Sequence, residues 1–353
     1  MNKIRWKSMD VLKGICCIAV LFIHFNFKGD AGLYVKTFCR FAVPTFLMIS
    51  GFFFLSDGKS DDGKTVKKIR HIVKLIVGSS VFYAVYTYVI NKITDPDWSW
   101  SAFASEKIKA GKFVKLIITN DPFVYSHLWY MLALVYCYIF VVFLFEKNKR
   151  LKAPLVLAPV LLVCYSCLQE FSGLHIFPVT VPIAGSEMVV CLFNLFIFRA
   201  LPFFLFGIVF RQYYRKLSEI PLPFPVAVII FIAGGVIAVI ERQHFSESQF
   251  YIGTYIMVAM LFLTALKHPE KEIKLLGYIG RELSLYVYIL HIAMGRITDL
   301  IIVELGIYST NFYKWSRAFI ILLMSLLAAQ LVVLLKKLTA TVKEEINTKF
   351  IKA

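Results

Sequence analysis

Residues 10–24 read DVLKGICCIAVLFIH, an apolar run with an aspartate and a lysine at one end and a histidine at the other. With Phe25, Asn26 and Phe27 it makes a stretch over 11–27 close to the ~20 residues that cross a bilayer. Asp10 and Lys13 are i,i+3 neighbours and can pair near one membrane surface. Lys13 and His24 are eleven apart, so at 100° per residue they share a helix face, about 16 Å apart along the axis. A stripe of ionisable groups thus runs from one surface into the far half of the span. Such groups inside a span cost at least about 2.5–3.5 kcal/mol on insertion scales and are functional candidates by default.

The rest of the chain agrees that lipid is the solvent. Of 353 residues 59% are apolar and 17% charged, with a mean hydropathy of +0.72, which excludes an ordinary soluble enzyme. Apolar runs lie at 11–27, 41–55, 72–90, 127–145, 153–168, 188–210, 224–241, 250–266, 283–303 and 317–335. The expectation is an all-α, polytopic membrane bundle of about ten spans forming one domain over 1–353. The first run is not a cleaved leader, since it holds a lysine and a histidine and lacks a small-residue cleavage site. The net charge of +17 is dispersed in short clusters between apolar runs, so membrane topology explains it and nucleic acid is not expected as a partner. Seven cysteines, lying within or beside apolar runs, and scattered histidines suggest neither a disulfide framework nor a metal site.

Placing both termini in the cytoplasm puts 24 Lys and Arg in the inner segments and 11 in the outer ones. The 91–126 loop breaks this bias with five bases; its aromatic and aliphatic residues suggest a helix lying on the outer surface, which Gly111 interrupts. Trp6, Trp129 and Trp315 fall at span ends, as an interfacial belt requires. A loose internal echo links Arg40-x3-Pro44 and Gly51 with Arg199-x2-Pro202 and Gly207, and predicts two spans each with a close-packed glycine.

Three further clusters carry candidate chemistry. Arg40, Trp129 in His127-Leu-Trp129-Tyr130, Arg199 and Glu241 lie at outer ends of spans, near the expected depth of His24; they suit a polar cavity for an acceptor and a developing oxyanion, or else interface anchoring. Lys67, Arg70, His71 and Lys74 form an i, i+3, i+4, i+7 stripe that suits donor phosphates or anionic lipid. In 282–299, His291 lies near mid-depth and Arg296 with Asp299 is another i,i+3 pair. Asp10, Ser50 and His291 read as structural polar groups. No G-x-S-x-G, glycine-rich phosphate loop or H-E-x-x-H is present.

With these residues in view, the chain resembles the integral-membrane acyltransferase-3 family. Met9-Asp10-Val-Leu-Lys13-Gly14 with His24 resembles the family's Leu-Asp-x-Leu-Arg-Gly start and its histidine eleven residues after the arginine. Arg40-Phe-Ala-Val-Pro44-Thr-Phe-Leu-Met-Ile-Ser50-Gly51-Phe52, the basic run 67–74, His127-Leu-Trp129-Tyr130 and Ser284-Leu-Tyr286-Val-Tyr288-Ile-Leu-His291 follow in the family's order. The resemblance implies a multi-pass protein of the bacterial cytoplasmic membrane. Such a protein moves an acyl group, usually acetyl, from cytosolic acyl-CoA to a hydroxyl of an envelope glycan or related acceptor, with no permanently bound cofactor. It implies that His24 is the catalytic histidine and that Lys13, Lys67, Arg70 and Lys74 meet the CoA. Lys13 departs from the family arginine and loses its planar fork. With the chain ending soon after the last apolar run, members carrying an outer hydrolase-like domain form a different subtype. The same look extends to the membrane part of vancomycin-resistance serine racemases, which makes a serine-like transporter the alternative; Pro44, Pro159 and Pro202 inside spans are compatible with it.

The charge bias yields a direct test in a cysteine-free background. An impermeant maleimide added to intact cells should label His175→Cys and Glu247→Cys but not Ser60→Cys or Asn148→Cys. Labelling at position 60 would reverse the orientation.

Overall fold

The structure, a computed structural model, describes residues 6–55, 62–107, 110–120, 122, 125–144, 152–173, 180–182, 189–245 and 248–352. The four labelling positions above and most of the 146–152 and 169–187 loops lie outside the described residues. The helices are α1 (Lys7–His24), α2 (Gly29–Phe38), α3 (Ala42–Phe52), α4 (Asp62–Thr94), α5 (Trp100–Lys107), α6 (Ala110–Thr119), α7 (Trp129–Leu144) and α8 (Ala153–Gly173). They continue with α9 (Phe196–Arg199), α10 (Leu201–Gln212), α11 (Tyr214–Ser218), α12 (Phe224–His244), α13 (Ile252–Lys267), α14 (Lys274–Tyr278), α15 (Ser284–Glu304) and α16 (Asn311–Lys352). Between α8 and α9, β1 (Thr180–Pro182) and β2 (Val189–Cys191) pair antiparallel, Thr180 facing Cys191.

The chain is an all-α polytopic membrane bundle. Among the described residues seven helical stretches are long and apolar enough to cross a bilayer: 29–52, 63–94, 126–144, 153–171, 224–244, 274–304 and 311–344. The runs at 11–27 and 250–266 become α1 and α13, of 18 and 16 residues, and α1 carries Lys7, Asp10 and Lys13 in its first two turns. The expected span at 188–210 is corrected: it is not one helix. Its first residues join the hairpin, and the remainder breaks into a 3₁₀ turn at Leu192–Asn194, α9 and the 12-residue α10. Leu195 is extended (ψ 133), and Pro202 sits in the first turn of α10, where its missing N–H costs nothing. The 91–126 loop forms α5 and α6, two helices rather than one. α6 is followed by Asn120 at φ 55, a left-handed position that asparagine tolerates.

Contacts group the chain into two units. The first comprises Met1–Ala42, Leu222–Val239 and Ile256–Ala353. Its centre is the crossing of α1 with the segment 274–283. A Cβ on Gly14 would collide with the carbonyl of Leu276, and a Cβ on Gly280 with the carbonyl of Asp10. Two backbones therefore touch where each presents a glycine, a small-residue contact of the kind that holds helices together in lipid. At the same place the helix widens into a π-turn, Ile279–Leu283, between α14 and α15. Ser8 ties α1 to α13 by donating to the Ala265 carbonyl at 2.8 Å, and Tyr278 joins α14 to α16 by donating to Gln330 at 2.7 Å.

The second unit comprises Val43–Pro221 and Ile240–Tyr255. It repeats the device: a Cβ on Gly51 would strike the carbonyl of Phe204, and one on Gly207 the carbonyl of Met48. The two echoing sequence segments thus pack directly on each other. Tyr165 of α8 is fully buried, and its hydroxyl accepts the backbone N–H of Gln249 at 3.0 Å and of Phe250 at 3.2 Å.

Gly280→Val and Gly207→Val should each abolish a monodisperse protein or lower its melting temperature sharply, because backbone must move to admit the side chain. Gly78→Ala, at a position with open space around it, should melt with wild type. Detergent-solubilised size-exclusion profiles and thermal melts check this; unchanged melting of Gly280→Val would show that the crossing is not tight.

Candidate functional site

The ionisable stripe of α1 is in place in the first unit. Lys13 Nζ lies 3.1 Å from Asp10 Oδ1, with both side chains about a quarter exposed, so the expected pair forms. His24 ends α1; the chain turns extended at Phe25 (ψ 96), and the imidazole stands exposed at the helix terminus. Its ring centroid is 4.9 Å from that of His291, tilted by 53°. The structure therefore brings the two histidines together, although they are 267 positions apart in sequence.

His291 is fully buried on α15. Its Nδ1 lies 2.8 Å from the Tyr288 carbonyl and 3.1 Å from the Val287 carbonyl. Carbonyls only accept, so Nδ1 carries a proton and donates it to the backbone. Phe25 packs edge-on to the same ring at 6.2 Å, in space that Gly295 leaves open.

One turn beyond Gly295, the expected Arg296–Asp299 pair is corrected. Asp299 is held by α16: Arg317 Nε donates to Oδ1 at 2.8 Å, Nη2 to Oδ2 at 2.6 Å, and Tyr313 Oη to Oδ1 at 2.6 Å. The fork of a guanidinium matches both carboxylate oxygens, which a neighbour three residues along the same helix cannot do as well; Arg296 is exposed. The Arg317 guanidinium also lies 5.4 Å from the Phe25 ring. An ion pair, an aromatic ring and a buried histidine thus stand in sequence behind His24. Arg317, Tyr313, Phe25 and Gly295 were not among the sequence candidates. The signal for one of them was present, since Asp299 and Arg317 are equidistant from Tyr308 in the turn between α15 and α16. Arg40, also in this unit, sits half-buried in a 3₁₀ turn, Cys39–Phe41, between α2 and α3.

In the second unit Trp129 and Arg199 come together, the guanidinium carbon 3.4 Å from the indole ring centroid, a close cation–π stack. Beside Trp129 in sequence, buried His127 meets the ring of buried Tyr83 at 5.0 Å. Glu241 accepts the backbone N–H of Ile252 at 3.1 Å and of Gly253 at 3.0 Å, so its carboxylate caps α13. Ser50 donates to the Phe46 carbonyl at 3.0 Å within its own helix. Lys67, Arg70, His71 and Lys74 are exposed along one face of α4. Lys68, in the same basic run, turns inward instead, its Nζ donating to the Phe53 carbonyl at 2.9 Å. No group of three or more metal-ligating side chains occurs among the described residues.

No curated protein and no solved structure matches the chain. The sequence pattern of an acyltransferase domain does match, over residues 6–334, which takes in α1 with His24, the basic face of α4, the Trp129–Arg199 stack and the His291 helix. That span covers nearly the whole membrane bundle, and the chain belongs to the integral-membrane acyltransferase-3 family, as a multi-pass membrane acyltransferase.

Proposed function

We propose that the protein is an O-acyltransferase of the bacterial cytoplasmic membrane. It takes an acyl group, acetyl in the first instance, from cytosolic acyl-CoA and passes it to a hydroxyl of an envelope glycan or related acceptor at the outer side. The observation that carries this reading is the exposed His24 imidazole set against the buried, backbone-anchored ring of His291. His24 is the general base. It accepts the proton of the acceptor hydroxyl while that oxygen attacks the thioester carbonyl; the C–S bond breaks and the CoA thiolate leaves, taking up a proton from the imidazolium. His291 is a positioning residue, a rigid wall that limits the rotation of the His24 ring.

The donor side of this reading rests on charge. Lys67, Arg70 and Lys74 present three exposed cations on one face, suited to the phosphates of CoA; Lys13, paired with Asp10, is a separate donor-binding candidate. From Lys13 the pantetheine arm must cover about 16 Å to reach His24. The Trp129–Arg199 stack offers an aromatic face for an acceptor ring, Arg40 a cation for the developing oxyanion, and Glu241 acts through the start of α13. Acyl-CoA and the acceptor are substrates; no resident cofactor enters the scheme.

His24→Ala should leave a folded protein that still binds CoA while turnover falls roughly 10²- to 10⁴-fold, the loss typical of a missing general base. CoA release with a thiol reagent and mass spectrometry of envelope glycans for the 42 Da acetyl increment are the readouts. Near-normal transfer by His24→Ala removes the mechanism. Uptake of labelled serine by proteoliposomes with no CoA turnover would instead establish the transporter reading.

Arg70→Ala with Lys74→Ala should weaken CoA binding about tenfold at low ionic strength, and less at high salt, because exposed charges are screened. Calorimetry across a salt series measures this. An unchanged affinity would return the face to contact with anionic lipid.

A further inference from the structure

The first two turns of α1 have a second use. At 100° per residue Asp10, Lys13 and His24 fall within about 60° of one another, whereas Ser8, Val11, Leu12 and Ile15 gather on the opposite side of the helix. That opposite side lines a cavity of about 270 Å³, closed by the first turns of α12 and the last turns of α13. The cavity runs inward from the 268–273 loop to Ile15, Phe231 and Met260, a depth of about 10 Å at 1.5 Å per residue.

Its chemistry is divided along that depth. The wall has two hydroxyls, and both are engaged: Ser8 Oγ donates to the Ala265 carbonyl at 2.8 Å and Thr264 Oγ1 to the Met260 carbonyl at 2.7 Å. The wall therefore presents hydrocarbon even where its sequence is polar. The ionisable side chains that line it, Lys271 and His268, both stand at the mouth and are exposed. Lys271 Nζ lies 5.3 Å from the Phe224 ring, and among the described residues the neighbouring carboxylate of Glu272 pairs with Lys7 and Arg281 instead. A sugar or nucleotide would leave its polar groups unmatched in such a wall. A hydrocarbon chain headed by an anion matches both parts.

We propose that this cavity holds one acyl chain of an anionic membrane phospholipid, with the phosphate at Lys271 and His268. The site is separate from the ionisable stripe, and a chain seated there supports α1 from behind the face that carries Lys13 and His24. It also fills a slot that would otherwise lack packing partners, since Phe224 and Val228 at its edge are themselves open to lipid.

Native mass spectrometry of the full-length protein, titrated with phosphatidylglycerol and with phosphatidylcholine of the same chains, tests the site. Wild type should retain phosphatidylglycerol preferentially. His268→Glu with Lys271→Glu, both exposed positions, should lower that retention about 25-fold, from roughly fivefold per basic group at a membrane surface, and leave phosphatidylcholine unchanged. Val228→Trp, which narrows the cavity from its exposed edge, should lower retention of both lipids. A phosphatidylglycerol carrying a photoreactive group at mid-chain should cross-link within residues 227–231 or 260–265. Equal retention of the two lipids by wild type, undiminished retention in the charge-reversed variant, or cross-links confined to other helices would overturn the proposal. None of these readouts depends on acyl transfer, so the site stands or falls apart from the catalytic reading.

Discussion

Backbone contact between helices at paired glycines is the constraint on which the molecule depends. In water apolar side chains drive helices together; in hydrocarbon that force is absent, and close van der Waals packing has to replace it. The first unit meets this need at Gly14 and Gly280, the second at Gly51 and Gly207, and in each case the glycine of one helix abuts a carbonyl of the other. Contacts of this kind fix rotation as well as distance, because only the glycine face can approach. For α1 that rotation determines which way Lys13 and His24 point and which way the Ser8–Ile15 face points. A π-turn at the same crossing lets 279–283 adjust its phase before α15 delivers His291 beside His24.

The ion pair of Asp299 and Arg317 serves the same end by a costlier route. Charges inside a span are expensive, and a half-buried pair is weak evidence for net stability. What it supplies is register: two parallel N–H···O bonds and the Tyr313 hydroxyl admit one relative position of α15 and α16. A slip by one residue along either helix would strand a carboxylate in hydrocarbon. Through the Phe25 ring, which touches both Arg317 and His291, that register reaches the histidine pair. Removing the pair therefore disturbs the site through geometry before it disturbs it through charge.

Local features of this arrangement were legible in the sequence, and long-range ones were not. The helical class, the Asp10–Lys13 pair, the single face of Lys67, Arg70 and Lys74, and the packing glycines of the Arg40 and Arg199 segments follow from periodicity and composition. Hydropathy reads 188–210 as one span because it sums over residues and does not register the extended Leu195 or the break at Ala200. Spacing pairs Asp299 with Arg296 because it shows neighbours on one helix and is silent about the next one, where Arg317 lies. His24 and His291 were separate candidates for the same reason: no periodicity joins positions on α1 and α15. Glu241 reads from the sequence as a cavity or interface group, and its capping of α13 is not legible there because a helix cap supplied from a preceding helix has no motif.

The two faces of α1 bear on how a single membrane helix can carry a stripe of ionisable groups. Such a stripe takes up a face that could otherwise pack, which weakens a helix's hold on its neighbours in lipid. On α1 the loss is offset on other faces: the glycine contact with 274–283 holds it laterally, Ser8 ties its first turn to α13, and the slot behind Val11 and Ile15 presents hydrocarbon along its inner wall. Asp10, Lys13 and His24 are consequently confined to about a sixth of the circumference. A substituent that widened that sector, such as a charge at Val11 or Ile15, would place an unpaired ion against the apolar wall of α12. The helix would then have to rotate to relieve it, carrying His24 away from His291.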